Sequence, residues 1–285
     1  MQRRLVVLAV LLSFVLTGYV TQRNTPQSSE VFEPNQQEAI LDWTTASFTL
    51  PINQYAMTGR ESQIVEAAAS IEFARCAHGL EADLSTVVEE ARRYLTTQPE
   101  PPNTRWLFGW WNADFISKYG LMGYRDPPLS WVYSEWDVAQ ACQSHIADMG
   151  LIIITTDSVN IDNDVIRLAS GTSYELTLVD SRFKLLQREW RDCVSAKGYV
   201  IDDDYETSAA YIDPSWEAER VQKIAIDEAL CADSMRYTQQ VTDLMAEYQN
   251  QYIVEHEGEL FTIRNIAVER VITAKSILRE FSIDV

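Results

Sequence analysis

Phe73-Ala74-Arg75-Cys76-Ala77-His78-Gly79-Leu80 and, farther along the chain, Trp190-Arg191-Asp192-Cys193-Val194-Ser195-Ala196-Lys197-Gly198-Tyr199 are two versions of one phrase. In each, an aromatic residue stands three positions before a cysteine, and a glycine followed by an apolar residue closes the run. Positions i and i+3 share a helix face, glycine supplies the left-handed residue that ends a helix, and the apolar residue after it packs back on the last turn. Both phrases therefore predict helix C-termini, with His78 and Lys197 placed to suit the negative end of the helix dipole.

Each phrase is followed by a variable segment and then by a second cysteine in a helical pattern, at Trp136-Asp137-Val138-Ala139-Gln140-Ala141-Cys142 and at Ile224-Ala225-Ile226-Asp227-Glu228-Ala229-Leu230-Cys231. Four cysteines allow three disulfide connectivities. The simplest pairs them within the two halves, Cys76 with Cys142 and Cys193 with Cys231, and each bridge would stabilise the fold by about 4 kcal/mol through loop closure. Zinc would require closely spaced cysteine pairs with histidine nearby, and the spacing offers none.

Working outward, Thr58-Gly59-Arg60-Glu61 is a capping box ahead of a helix over about 59–78, and apolar spacing continues in a second helix over 81–96. Gln98-Pro99-Glu100-Pro101-Pro102-Asn103 is a loop. The segment 104–136 is crowded with aromatics. Trp111, Phe115 and Tyr119 form one helical stripe facing a core, while Trp106, Trp110 and Trp111 are also the candidates for a ligand-binding platform, since exposed rings stack on sugars or lie at interfaces. Leu151 to Thr156 is a β-branched run of strand length and Ser173 to Val179 alternates loosely, which together read as a minor sheet or hairpin between the halves. A helix follows over 181–197, and Asp213-Pro214 opens a helical pattern that runs to about 281, with Gly258 as the expected break. This long segment is either an extended helix or hairpin projecting toward a coiled-coil partner, or a pair packed within the molecule. The predicted fold is mainly α: a disulfide-stapled helical domain over 42–213 and a long helical C-terminal segment over 214–285.

The N-terminus gives an address. Arg3 and Arg4 precede an uncharged apolar run from Leu5 to Val20, between a signal peptide's length and a membrane span's. Leu16-Thr17-Gly18 is similar to the start of a bacterial lipobox, whose next position is a lipid-accepting cysteine; Tyr19 stands there instead. Residues 1–20 are thus a signal peptide or an N-terminal membrane anchor, and the polar, apolar-poor stretch 21–41 reads as a tether. Export to an oxidising compartment also supports the disulfide reading.

With 42 acidic against 23 basic residues the net charge is −19, the wrong sign for a nucleic-acid binder. The chain has no P-loop, no dinucleotide fingerprint and no G-x-S-x-G elbow, and its three histidines are scattered. His256-Glu257-Gly258-Glu259-Leu260 lacks the second histidine of a zincin helix. Asp202, Asp204, Glu206 and Asp213 match positions 1, 3, 5 and 12 of a calcium loop, but Thr207 replaces the turn glycine and Asp213 the bidentate glutamate, so a solvated acidic loop is the simpler reading. No catalytic residue and no cofactor is expected. The sequence leans toward an extracytoplasmic binding or structural module with an envelope protein or glycan as partner; the alternative is a secreted hydrolase acting on cell-wall or glycan material with paired carboxylates.

The Cys76-x-x-Gly79 helix end, the Trp106 to Tyr124 block, the Trp190-x-x-Cys193 phrase with Gly198-Tyr199 and the Ile224 to Cys231 helix together resemble a group of secreted proteins and lipoproteins of actinobacteria that carries no established activity. The resemblance covers most of the chain after the tether. It implies an all-helical, disulfide-held envelope domain with a lipid anchor, from which Tyr19 departs, and it transfers no catalytic residue.

Overall fold

The computed structural model describes residues 34–77, 83–97, 107–121, 136–151, 161–199, 201 and 217–285. A short antiparallel hairpin, β1 (Ile40–Asp42) and β2 (Ser47–Thr49), pairs Ile40 with Thr49 and Asp42 with Ser47. A 3-10 turn, Pro51–Tyr55, leads into nine helices among the described residues: α1 (Gly59–Cys76), α2 (Leu84–Tyr94), α3 (Ala113–Tyr119), α4 (Trp136–Asp148), α5 (Ile161–Val179), α6 (Ser181–Ala196), α7 (Ala218–Ser234), α8 (Tyr237–Glu255) and α9 (Glu257–Glu280). The fold is mainly helical, as the apolar spacing predicts.

Local chemistry sets the helix ends. The Thr58 hydroxyl accepts the Glu61 N–H at 3.2 Å while the Glu61 carboxylate accepts the Thr58 N–H at 2.8 Å, closing the capping box at the start of α1. At the end of α6, Gly198 takes φ +89° and its N–H reaches the Ser195 carbonyl at 2.9 Å, while Tyr199 packs on the core behind it. The second phrase thus ends a helix in the expected way; Gly79 and Leu80 of the first lie outside the described residues. Gly150 (φ +74°) ends α4 likewise, and the Leu151 N–H bonds the Ile146 carbonyl at 3.0 Å in the Schellman pattern.

Two features depart from expectation. Ser173 to Val179, read as a strand, is the last part of α5. Ala169, Ser173 and Thr177 form a buried stripe at four-residue spacing, and the two hydroxyls bond back to the Ser170 and Ser173 carbonyls at 3.0 and 2.7 Å. Hydroxyls satisfied within their own helix can face a core, and that defeats a reading based on alternation. The hairpin lies instead at 40–49; of the other expected strand only Leu151 is described. The C-terminal pattern is also divided into three helices. It breaks first at Met235-Arg236, where Arg236 adopts φ +53°, and again at His256, two residues before Gly258.

The unit Asn35–Val285 holds two apolar clusters. One gathers the hairpin, α3, α6, α7 and α8 around Phe48, Phe183, Trp190 and Tyr237. The other gathers α1, α2, α4 and the end of α9 around Ile64, Ile71, Val87 and Leu278. Each carries one disulfide: Cys76–Cys142 joins α1 to α4, and Cys193–Cys231 joins α6 to α7. The pairing is within halves. Helix α9 packs along α1, α8 along α5, and α7 along α3, so all three C-terminal helices contribute to the cores.

Candidate functional site

The hairpin turn is ordered by its own side chains. Asp42 accepts the Thr44 N–H at 2.8 Å and the Thr45 hydroxyl at 2.8 Å, an Asx-type turn that projects Trp43. Burial acts to raise the Asp42 pKa, but the hydrogen bonds from Thr45 and Thr44 outweigh it and hold the carboxyl below its ordinary value. The turn is fastened from outside by Asn112, a 3% exposed residue that donates to the Trp43 carbonyl at 2.7 Å and accepts the Phe115 N–H at 2.9 Å as the cap of α3. On the opposite flank, Gln239 of α8 donates to the Ala39 carbonyl at 3.2 Å.

These ties enclose a cleft of about 170 Å³. Leu41 and Trp43 line it from the hairpin, Trp111 from the segment before α3, and Asp233, Arg236, Thr238 and Gln239 from the α7–α8 corner. Trp43 meets Trp111 edge to face, with ring centroids 5.0 Å apart. Trp111 is 2% exposed, whereas Trp43 is 54% exposed, an unusual position for the largest apolar side chain. A water occupies roughly 30 Å³ of liquid, so the cleft has room for about one ring or one side chain.

The polar groups around it are not all satisfied. Among the described residues, Trp111 Nε1 and Thr238 Oγ1 are buried and have no hydrogen-bond partner. A buried unpaired group costs on the order of 1–3 kcal/mol, and both of these belong to residues lining the same cleft. Arg236, in the left-handed conformation at the N-cap of α8, makes no capping bond, and among the described residues it has no ion-pair partner. Its guanidinium carries donors only, so it has nothing to offer the N–H groups of the first turn. Tyr237, next in sequence, points the other way in function: it stacks on Trp190 at 5.9 Å inside the core, where burial pushes its hydroxyl pKa well above the usual range.

Of the ligand-binding candidates, Trp111 lines the cleft, Trp110 packs half-buried against the adjacent core, and Trp106 lies outside the described residues. Trp43 and Arg236 were not singled out in the sequence. Trp43 follows a stretch read as tether, and the only signal for Arg236 would have been a helix break that no glycine or proline marks. The acidic set Asp202, Asp204, Glu206 and Asp213 lies outside the described residues, as do residues 1–33. Among the described residues no group of three or more His, Cys, Asp or Glu side chains is placed to hold a metal, and no helix is long and apolar enough to cross a membrane.

Other polar clusters tie elements together. Tyr199 donates to Asp227 at 2.6 Å beside Lys197, next to the Cys193–Cys231 bridge. Asp180 caps α6 and takes up Arg182 and the Tyr248 hydroxyl of α8. Two further surface hollows lie along α9 and α2; the first has no aromatic residue among its described lining, and the second has Phe281 at its edge. Comparisons of the chain with protein-family models, curated proteins and solved structures return no match.

Proposed function

We propose that this protein is an extracytoplasmic, cell-envelope-associated binding module that captures one ring or side chain of a larger partner in the Trp43–Trp111 cleft. The observation that carries the reading is the pairing, around one small, partly open cleft, of an exposed tryptophan with buried polar groups that lack partners among the described residues. Surface tryptophan supplies large contact area at low entropic cost, and it anchors binding where a pocket excludes water. At about 170 Å³ the cleft is smaller than a typical small-molecule site, which runs from roughly 300 Å³ upward, so an anchor point on a larger envelope protein or glycan suits it better than a free ligand.

Two disulfides holding two helical cores support an oxidising location. The N-terminal apolar run and tether, and the likeness to secreted actinobacterial proteins and lipoproteins, favour attachment at the outer face of a membrane. A hydrolase of glycan material would need two convergent carboxylates, and among the described residues that line the cleft Asp233 is the one carboxylate.

The test is retention of solubilised envelope material on the immobilised protein, with Trp43→Ala as the comparison. Envelope glycan or protein held by the wild type and released from the variant, with both equally folded by circular dichroism, is the expected result. Equal retention by both would sink the reading, and soluble sugar released during incubation would replace it with the hydrolase.

A further inference from the structure

Helix α5 has two faces of unlike kind. Ala169, Ser173 and Thr177 are buried on one side, whereas Leu168, Leu176 and Val179 on the other are 49%, 41% and 65% exposed. Single exposed apolar residues are ordinary, but these three fall with Val165 and Thr172 on one stripe, at the three- and four-residue spacing of a helix face that meets another helix. Arg167, Gly171 and Glu175, all exposed, run four residues apart along one edge of that stripe. The glycine has no explanation within the fold: it sits in mid-helix with ordinary helical backbone, and a Cβ added there would meet nothing within 4 Å. Glycine is less stable than alanine inside a helix, and what it offers is room for another backbone to come close. Charge points the same way. In a chain of net charge −19, the stretch from Val165 to Val179 carries only Arg167 and Glu175, so two copies that repel each other elsewhere meet here without net charge.

From these observations we infer that α5 is a self-association surface, on which a second copy of this chain packs its own α5 antiparallel about a two-fold axis near Thr172. Such an axis requires a self-complementary patch. About Thr172, Leu168 of one copy lies level with Leu176 of the other, and Val165 with Val179. An antiparallel pair also brings like edges together, so the two Gly171 residues face each other and Arg167 falls about 3 Å along the helix from Glu175 of the second copy. A parallel pair would set that edge against the opposite one, which holds no charged residue between Val165 and Val179. Fifteen residues of helix span about 22 Å, so the contact is smaller than the roughly 1,200 Å² of a standard interface and the dimer is a weak one. None of these residues lines the Trp43–Trp111 cleft, and the inference stands or falls independently of what binds there.

Sedimentation equilibrium of the full-length protein in density-matched detergent, from micromolar to millimolar concentration, tests it. The wild type is expected to pass reversibly from monomer to dimer and no further, since a two-fold contact closes. Leu168→Ser weakens the dimer at least about tenfold. Gly171→Ala separates an interface from a glycine of no consequence: it raises the thermal midpoint of the monomer and yet weakens the dimer. Arg167→Glu and Glu175→Arg each weaken association alone, and an equimolar mixture of the two restores it, because every pair across the axis is then opposite in charge. That rescue excludes a folding defect in either variant. A monomer over the whole range overturns the inference. So does association that Leu168→Ser leaves intact, which belongs to another surface such as the N-terminal apolar run, and so does failure of the mixed charge variants to pair.

Discussion

The Asn112 carboxamide holds the Trp43 carbonyl with its NH2 group and the Phe115 N–H with its oxygen, so one buried side chain both starts α3 and seats the turn that carries Trp43. Replacing it with alanine removes a helix cap, worth about 1 kcal/mol, and leaves a carbonyl unpaired at a cost of on the order of 1–3 kcal/mol. Asn112→Ala is therefore expected to lower stability by about 2–3 kcal/mol in urea titration. It also loosens Trp43, read as a sharpening of that residue's indole resonance. An asparagine before a helix is legible in the sequence as a cap. Its second bond, across 69 residues to the hairpin, is not, because nothing local marks which distant carbonyl needs a donor.

At the scale of elements, Glu61 shows how a local motif is reused. Its place in the capping box is fixed by α1 alone, yet its two oxygens also take the Arg264 guanidinium of α9 at 2.7 and 2.8 Å, with a further Arg264 bond to the Ala56 carbonyl at 3.1 Å. Burial works to raise the Glu61 pKa, but the bonds from Arg264 and the Thr58 N–H prevail and hold it below its ordinary 4.5. A depressed folded value means stability that is fully present above pH 4.5 and is lost as pH falls through the folded value. Glu61→Gln keeps an acceptor for the cap but not the ion pair. Since the pair is only partly screened from water, the loss is about 1–3 kcal/mol at neutral pH, and it shrinks in acid. Urea midpoints of the two proteins at neutral pH and at pH 3, converging at the lower value, would bear this out; a constant gap would not.

For the molecule as a whole, the end of the chain completes a core that its beginning starts, since the last turns of α9 lie among residues of α1, α2 and α4. Deleting 214–285 would remove part of both clusters, which is why point variants rather than truncation test the site. The disulfides, with sequence separations of 66 and 38, each contribute about 4 kcal/mol by loop closure, against a typical total of roughly 5–15 kcal/mol. Cys76→Ser with Cys142→Ser is thus expected to lower the unfolding free energy by about 4 kcal/mol while leaving the hairpin and the Trp43–Trp111 contact in place, because that bridge belongs to the other cluster. Loss of both bridges would leave little of the cooperative transition. Near-ultraviolet circular dichroism of the tryptophans during urea unfolding separates the two cases.

By itself the sequence determined what local chemistry controls: helix spacing, the capping box at Thr58 and the glycine end at Gly198; for the cysteines it narrowed the pairing to three choices, of which the structure holds the one within halves. Each of the first three depends on residues a turn apart. Only the tertiary structure decided that Ser173 to Val179 is helical, that the chain turns at Arg236 without a glycine, and that the hairpin, the Trp111 segment and the α7–α8 corner meet in one cleft. The reason is physical. A buried stripe, a strained backbone angle and an unpaired donor are all stabilised or tolerated through neighbours far away in sequence, and local propensity carries no record of them.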